Sequence, residues 1–339
     1  MMSALSDVAR AAQVSKATAS RALSGRGYVS AETRDRVVSA AAALSYVVSS
    51  NAASLVTGQT RSVGVVIPHI NRWYFGEVLE GIESALIARG YDVTLYRLSA
   101  DSAERRRVFE YFLVRKRVDA VIAVGIELTQ HEVGLLHSLD KPIVGIGGAI
   151  EGIATLSIDD TAAAALVTNH LISLGHTRIM HFGGDQQKEM DFRVHSARLA
   201  GFREAMTAAG LDCGDSAFRV TALSVQGGYA VGLAVLADPR SRPTAVVAGS
   251  DELAIGTIVA ARQLGIQVPA QLSVVGIDGH ELADMFGLTT LAQHPKAQGT
   301  HAVGLVMDEL TGQSAGPGRG WQPYPMRLEV RSSTTAPPA

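Results

Sequence analysis

The sequence predicts an α/β protein with an all-helical head joined to a larger two-lobed body. Three observations predict it. Residues 5 to 46 carry helical spacing of small apolar residues and no strand-like run. From Ser62 onward, short strands that are apolar throughout alternate with helical patterns, which implies parallel sheets covered on both faces. That alternation occurs as two separate series. A length of 339 residues with 47% hydrophobic content is enough to fill two or three cores.

In the head, Ser6–Ala12 places Val8, Ala9 and Ala12 on one helical face. Gln13-Val14-Ser15 reads as a tight turn, with Ser15 as N-cap of a second helix, Lys16–Leu23. That helix buries Ala19, Ala22 and Leu23 and turns Lys16, Ala17, Ser20 and Arg21 outward. So short a helix has little stability of its own, and its expected use is to enter a DNA major groove. If Gln13 needs a positive φ, glutamine costs about 1 kcal/mol there. Ser30 caps a third helix, in which Val37, Val38, Ala41 and Leu44 form the stripe and Tyr46 marks the end. Residues 51–58 form a helix-capable segment closed by Gly58.

The first body series reads strand Ser62–Ile67, helix Phe75–Arg89, strand Tyr91–Arg97, helix Ser102–Arg115, then strands Ala120–Val124, Ile143–Ile146 and Thr155–Ile158. The second reads helix Thr161–Leu174, strand Ile179–Phe182, helix Arg193–Ala209, strand Phe218–Ala222 and helix Gln226–Leu236. Strand Ala245–Ala248, helix Asp251–Leu264 and strand Ser273–Ile277 complete it. Ligands in open α/β sheets lie outside the carboxyl ends of the strands, so a cleft between the lobes is the expected site.

Bulk properties narrow the function. No apolar run approaches the about 18 residues of a membrane span, and no basic-then-apolar leader opens the chain, so a cytoplasmic location and no membrane partner are expected. Cys213 is the one cysteine, which excludes disulfides and cysteine-based zinc sites. Neither a metal nor a cofactor is expected. Residues 1–60 hold six basic and three acidic side chains, an excess of +3; the whole chain is −2, so the remainder is −5. A basic head on an acidic body suits phosphate binding through one end.

The stretches DVARAAQVSKATASRALSG, YVSAETRDRV, LSY, ASLVTGQTRSVGVVIP, HLISLGHTRI, RLAGF, SDELAIG and SVVGIDG resemble the LacI/GalR family of bacterial transcription regulators across residues 5–330. The resemblance implies a helix-turn-helix head (1–49), a hinge helix (50–60) and a periplasmic-binding-protein-like effector domain (61–331). Lobe 1 is expected over about 61–159 and 292–321 and lobe 2 over about 160–291 and 322–331, with crossings near Asp159, Leu291 and Trp321. The tail 332–339 reads as disordered.

By resemblance, Lys16, Ala17 and Arg21 occupy base-contacting positions. Arg21 suits bidentate donation to guanine, and Ala17 offers a methyl. Ser15, Thr18, Ser20 and Ser30 are expected on the phosphate side. Leu55 corresponds to a leucine that wedges into the minor groove. Val47-Val48-Ser49 departs from the usual Arg-Pro-Asn, which puts one phosphate contact in question.

For the effector, Arg198 matches the arginine and Asp278 the carboxylate with which the family grips its ligand, a pairing suited to a polyol. A mutual salt bridge is the alternative role for that pair. Trp73 and Tyr74 are expected as cavity walls, with Phe75 packed under the following helix. Ser250 and Gln293 are further candidates, and Asp159 and Asp160 are expected as helix caps. Leu223 stands where many relatives place an aromatic, which disfavours a purine-like or a broad sugar-stacking mode. The resemblance further implies a homodimer, a near-palindromic DNA operator and a small-molecule effector, most simply a carbohydrate.

Two rivals remain. Catalysis lacks support: Gly145-Ile146-Gly147-Gly148 and Gly183-Gly184 fit no full dinucleotide fingerprint, and no Walker loop, nucleophile elbow or HExxH is present. A transporter's solute-binding protein would explain the body and leave the head without a use.

Overall fold

The computed structural model describes residues 4–24, 27–46, 59–98, 102–113, 118–138, 140–185, 193–312 and 320–338. The chain divides into two units, Met1–Ser62 with Arg117–Asp119, and Val63–Lys116 with Ala120–Ala339.

Three helices form the head: α1 (Leu5–Ala11), α2 (Lys16–Ser24) and α3 (Ala31–Ala43). Their core consists of Val8, Ala9, Ala12, Ala19, Ala22, Val37 and Ala41. Alanine and valine let the short helices approach closely, and Leu5, Val14, Leu23, Val29, Leu44 and Tyr46 pack around them. Gln13 adopts φ +54°, the left-handed turn that glutamine disfavours. The Ser15 hydroxyl accepts from the Thr18 N–H at 3.0 Å, and the Ser30 hydroxyl accepts from the Thr33 N–H at 3.3 Å.

The second unit holds two six-stranded sheets. The first has order β11-β5-β4-β3-β1-β2 and uses β1 (Ser62–Ile67), β2 (Asp92–Arg97), β3 (Ala120–Val124), β4 (Ile143–Ile146), β5 (Ala154–Ser157) and β11 (Trp321–Pro323). The second has order β12-β10-β9-β8-β6-β7 and uses β6 (Ile179–Gly183), β7 (Phe218–Val220), β8 (Ala245–Ala248), β9 (Ser273–Asp278), β10 (Thr289–Ala292) and β12 (Arg327–Glu329). The recorded pairings are parallel except β10 with β12. Central strands β1, β3, β8 and β9 are buried at every residue, as apolar parallel strands covered on both faces must be. Sheet membership puts the chain's passages between lobes after β5, after β10 and between β11 and β12.

The helices that matter for the cleft are α4 (Trp73–Ile87), α7 (Asp160–Ser173), α8 (Val194–Ala208), α9 (Val225–Leu236), α10 (Asp251–Gln263) and α12 (Pro295–Thr311). Between them lie α5 (Ser102–Arg106), α6 (Gln130–His137) and α11 (Ala283–Phe286). Residues Arg107–Leu113, expected to continue α5, are wound as a π-helix. The wider turn brings Phe109 and Leu113 together into the core, at 1% and 0% exposure.

The disordered tail expected at 332–339 is corrected. The Ser333 side chain is 2% exposed; it accepts the Thr289 N–H at 2.8 Å and donates to the Val274 carbonyl. The Thr335 N–H donates to Ser273 Oγ at 3.1 Å, and its carbonyl lies 2.8 Å from His176 Nε2. Buried His176 also pairs with Thr244 Oγ1 through Nδ1. Polar composition suggested disorder, but the tail's Ser333 hydroxyl and Thr335 backbone are engaged by buried His176 and the start of β9.

Candidate functional site: a charged cleft and an exposed reading helix

On the head, Lys16, Ala17, Ser20 and Arg21 are exposed along one face of α2, with Thr18 half-buried. Ser15 and Ser30 are exposed at the starts of α2 and α3, each with its oxygen engaged as a cap. The Arg21 stem packs beside Gly27, and its Nε donates to the Ala17 carbonyl at 3.3 Å. Leu55 lies outside the described residues.

In the second unit a cavity of 480 Å³ opens at the carboxyl ends of the central strands. From the second sheet's side it is charged. Arg198 on α8, 6% exposed, donates through Nε to Asp160 Oδ1 at 2.8 Å and through Nη1 to the Gly249 carbonyl. Asp278 Oδ1 lies 4.0 Å from Nη1. The expected Arg198–Asp278 pair is therefore the looser of two contacts, and Asp160 is the tight partner. The two neighbouring aspartates have split their roles: Asp159 caps α7 through the Ala162 N–H at 2.9 Å, whereas Asp160 serves the cleft. The capping role expected for Asp160 is corrected accordingly.

Asp278 sits at φ +142°, strained for a residue with a side chain. Gln293 Nε2 donates to its Oδ1 at 2.7 Å. Beneath it Asp251, fully buried, accepts from the Gly279 and His280 N–H groups at 2.9 and 2.8 Å and from the Thr290 hydroxyl. These bonds pin the turn that aims Asp278 into the cavity. Burial raises both carboxyls above the ordinary carboxylate range; the hydrogen bonds to Asp251 and the Arg198 charge oppose the shift of Asp251, and for Asp278 Arg198 opposes the shift while Asp251 adds to it. Burial likewise raises Asp160, with Arg198 counteracting. Ser250, expected as a hydroxyl donor, lines the cavity, but its oxygen already accepts the Leu253 N–H as cap of α10.

From the first sheet's side the wall is aromatic. Tyr74 and Phe75 line the cavity, their rings edge-to-face at 5.2 Å, and the Tyr74 hydroxyl donates to Gln298 at 3.4 Å. Gln298 in turn donates to the Gln293 carbonyl at 2.7 Å, so a chain of amides links Tyr74 to Asp278. Gly125, at φ +54°, leaves the space the Phe75 ring fills; a Cβ there would lie 2.6 Å from it. Phe75 packs against the lobe 1 core as expected and also lines the cavity, whereas Trp73 does not take the wall position expected for it. Trp73 is absent from the described cavity wall and stacks on His280 across the cleft, ring centroids 4.5 Å apart. At the first turn of α4, consecutive residues point about 100° apart, so Trp73 and Phe75 cannot face the same way. Residue type alone gave no signal of which would turn inward.

Among the lining residues that escaped the sequence reading are the ionisable Arg72, Glu252, His69 and His195. Arg72 donates to the Leu223 carbonyl at 2.8 Å, and Glu252 lines the cavity, its carboxyl raised by burial with Arg72 opposing the shift. His69 packs edge-on to Phe75 at 5.6 Å, and His195 stands over Gly184 one turn before Arg198. Burial, helped by nearby arginines, lowers both imidazoles, His195 to about 4. Only the spacing of His195 and Arg198 on one helix was legible beforehand.

An exposed reading helix on a small head, together with a two-lobed domain enclosing a polar cleft, defines a ligand-controlled DNA-binding regulator. Residues 4–49 match the bacterial regulatory proteins of the lacI family, and residues 168–334 match the periplasmic binding protein-like domain. The HTH-type transcriptional repressor PurR of Vibrio vulnificus is 30% identical over 322 residues, 91% of this chain and 92% of that protein. The HTH-type transcriptional regulator DegA of Bacillus subtilis is 32% identical over 313 residues, 88% of this chain and 89% of that one. The lac repressor dimer, solved with its operator and the anti-inducer ONPF, superposes with TM-score 0.85 at 25% identity, covering 99% of this chain and 100% of that one. A complex of the regulator CelR with cellobiose gives TM-score 0.69 at 26% identity, covering 98% and 99%. The chain belongs to the lacI family of bacterial regulatory proteins. It is a DNA-binding transcriptional regulator with an effector-binding domain, and not an enzyme. No helix among the described residues is long and apolar enough to cross a membrane.

Proposed function

We propose that this chain is a cytoplasmic, homodimeric repressor whose operator affinity is set by a carbohydrate bound between its lobes. The observation that carries the effector class is the cluster of Arg198, Asp160, Asp278 and Gln293 opposite the rings of Tyr74 and Phe75. Carboxylates accept from vicinal hydroxyls, a guanidinium donates to ring oxygens, and flat rings cover the apolar face of a sugar. Trp73 and Ser250 act here at one remove, through His280 and through the cap of α10. The lac repressor's solution as a dimer on operator DNA, and CelR's with cellobiose, support the same arrangement here.

In this reading two heads meet adjacent half-sites of a near-palindromic operator. Lys16, Ala17 and Arg21 read bases; Ser15, Thr18, Ser20 and Ser30 anchor phosphates; Leu55 wedges into the minor groove. Effector favours one arrangement of the lobes, and by linkage operator DNA changes effector affinity by the same factor.

The test is binding of the full chain to DNA flanking its own gene at two salt concentrations, with and without a panel of neutral sugars. Selective binding that one sugar weakens is expected. Binding without sequence selectivity, or selective binding that no sugar moves, overturns the operator or the effector half of the reading respectively. A purine base added to the panel separates the second failure from a heterocyclic effector.

A further inference from the structure

We propose that two consecutive residues of lobe 1, Arg72 and Trp73, form a clasp on lobe 2 that favours the closed arrangement of the lobes. The inference concerns the movement of the lobes and stands apart from the chemical class of the effector.

Both contacts come from the start of α4. Arg72 Nη1 donates to the Leu223 carbonyl at 2.8 Å, joining residues 151 apart in the chain. The next side chain, Trp73, stacks on His280 with ring centroids 4.5 Å apart and planes inclined by 23°. Its buried indole N–H has no partner among the described residues, so ring contact rather than hydrogen bonding holds it there. Both receiving groups are fixed parts of lobe 2. His280 is 8% exposed; its Nδ1 accepts the Leu282 N–H at 3.0 Å, and its own backbone N–H donates to Asp251 at 2.8 Å. Leu223 packs on the lobe 2 core, one residue before the Ser224 cap of α9. On the other side Tyr74 and Phe75, which follow directly, pack on the lobe 1 core, so the start of α4 moves with lobe 1.

Position gives these contacts leverage. The chain's passages between lobes lie at one edge of each sheet, at β5 and β11 in the first and at β10 and β12 in the second. β1, which leads into α4, lies next to the opposite edge of its sheet, and β7, which leads to Leu223, forms the opposite edge of its own. A lobe turning about the crossings therefore moves far where Arg72 meets Leu223. The bonds from Gln298 to Gln293 and from Gln293 to Asp278 sit beside the crossing after β10 and move little. A hydrogen bond from a charged donor and a stacked ring pair are both direct protein contacts, and neither needs a ligand between the lobes. Losing such a hydrogen bond shifts the balance of open and closed lobes by on the order of tenfold. An effector that favours closure meets lobes already biased that way, and spends less of its binding energy on closing them.

The experiment reads Trp73 itself. The chain has two tryptophans, Trp73 and Trp321, so Trp321→Phe leaves Trp73 as the one indole fluorophore. Acrylamide quenching in the purified full-length protein then reports how well that ring is covered. In this parent the quenching constant is expected to be well below that of free N-acetyltryptophanamide. Arg72→Ala is expected to raise it at least about twofold as the open arrangement gains population. Arg72→Met, which keeps the stem and lacks the donors, is expected to do the same and stands in if the alanine variant does not melt cooperatively. Arg89→Ala removes an arginine past the other end of α4, whose Nη1 donates to the Ala85 carbonyl at 2.9 Å, and is expected to change nothing. His280→Phe, which keeps a ring, should preserve the protection that His280→Ala loses. A parent ring as open as the free indole, or one that neither Arg72 variant exposes, overturns the clasp. An equal rise in Arg89→Ala overturns the role of Arg72, because loosening of α4 as a whole would explain both. Equal protection in the two His280 variants removes the stack from the clasp. No effector is added, so none of these outcomes bears on the carbohydrate reading.

Discussion

The two lobes share one plan and use it for opposite ends. Each is a six-stranded sheet whose outermost strand is contributed by residues beyond 320. Yet lobe 1 meets the cavity mainly with rings, and lobe 2 mainly with charge. Lobe 1 places Phe75 and Tyr74 at the start of α4, where a glycine across the sheet leaves room for one ring. Lobe 2 turns Asp278 inward at a strained φ and holds it with Asp251, Gln293 and Arg198. Rings tolerate small displacements, whereas a buried ion network does not. The ionic lobe is thus expected to decide whether a ligand is accepted, and the aromatic lobe how tightly it is covered.

Asp278→Asn tests the ionic half most severely. The amide keeps shape and still accepts from Gln293, but removes the charge, so effector-driven release from operator is expected to disappear while ligand-free DNA binding persists. Loss of DNA binding as well, in a mobility-shift assay, would make Asp278 a structural residue only.

A second test concerns stability in lobe 2. His181, 1% exposed, stacks between Phe202 and Phe218, and burial lowers it to about 4. The unfolded chain takes up this proton near pH 6.5 and the folded chain only near 4. Its contribution is therefore intact above about 6.5 and lost as pH falls towards 4, about 2 kcal/mol by pH 5. The raised carboxyls of Asp251 and Asp278 work the other way: the folded state holds their protons longer, so acid favours folding through them. Urea unfolding at pH 7 and 5 should show His181→Phe gaining stability relative to wild type on acidification. A constant difference would deny the imidazole its role.

Phe75→Leu tests the aromatic half. Effector affinity should fall by about 1 kcal/mol, roughly fivefold, with the selectivity between ligands unchanged. A change of selectivity would mean that the rings, too, choose the ligand.

The smallest effect belongs to Trp73. Its indole N–H is buried with no partner among the described residues, so Trp73→Phe keeps a ring against His280 and removes an unmet donor. Its melting temperature should equal or slightly exceed that of wild type. A drop of several degrees would point to a partner for the indole nitrogen.

How far the sequence could be read also differs between the lobes. Apolar strands such as SVGVVI and SVVGID announce themselves, and with them the position of Asp278 at a strand end. Arg198 was legible from RLAGF. Arg72 was not, because an exposed-looking charge acquires its meaning from a partner far along the chain, the Leu223 carbonyl 151 residues away. The short strands β11 and β12 and the tail likewise carry no periodicity; their polar residues are explained by His176 and the edge of lobe 2. Trp73 and Phe75 differ only in helical phase, which propensity does not set.

The late position of β11, β12 and Ser333 has a consequence for synthesis. A ribosome adds about 5–20 residues per second. Neither sheet can acquire its sixth strand until the last twentieth or so of the sequence has emerged, and His176 waits with them. Until then β5 and β10 each present an open edge to neighbouring nascent chains, the geometry from which strand-to-strand aggregation starts. A message broken upstream of Trp321 would yield a protein able to fold its head but not to close either sheet, and such a product invites proteolysis before it can occupy an operator unregulated.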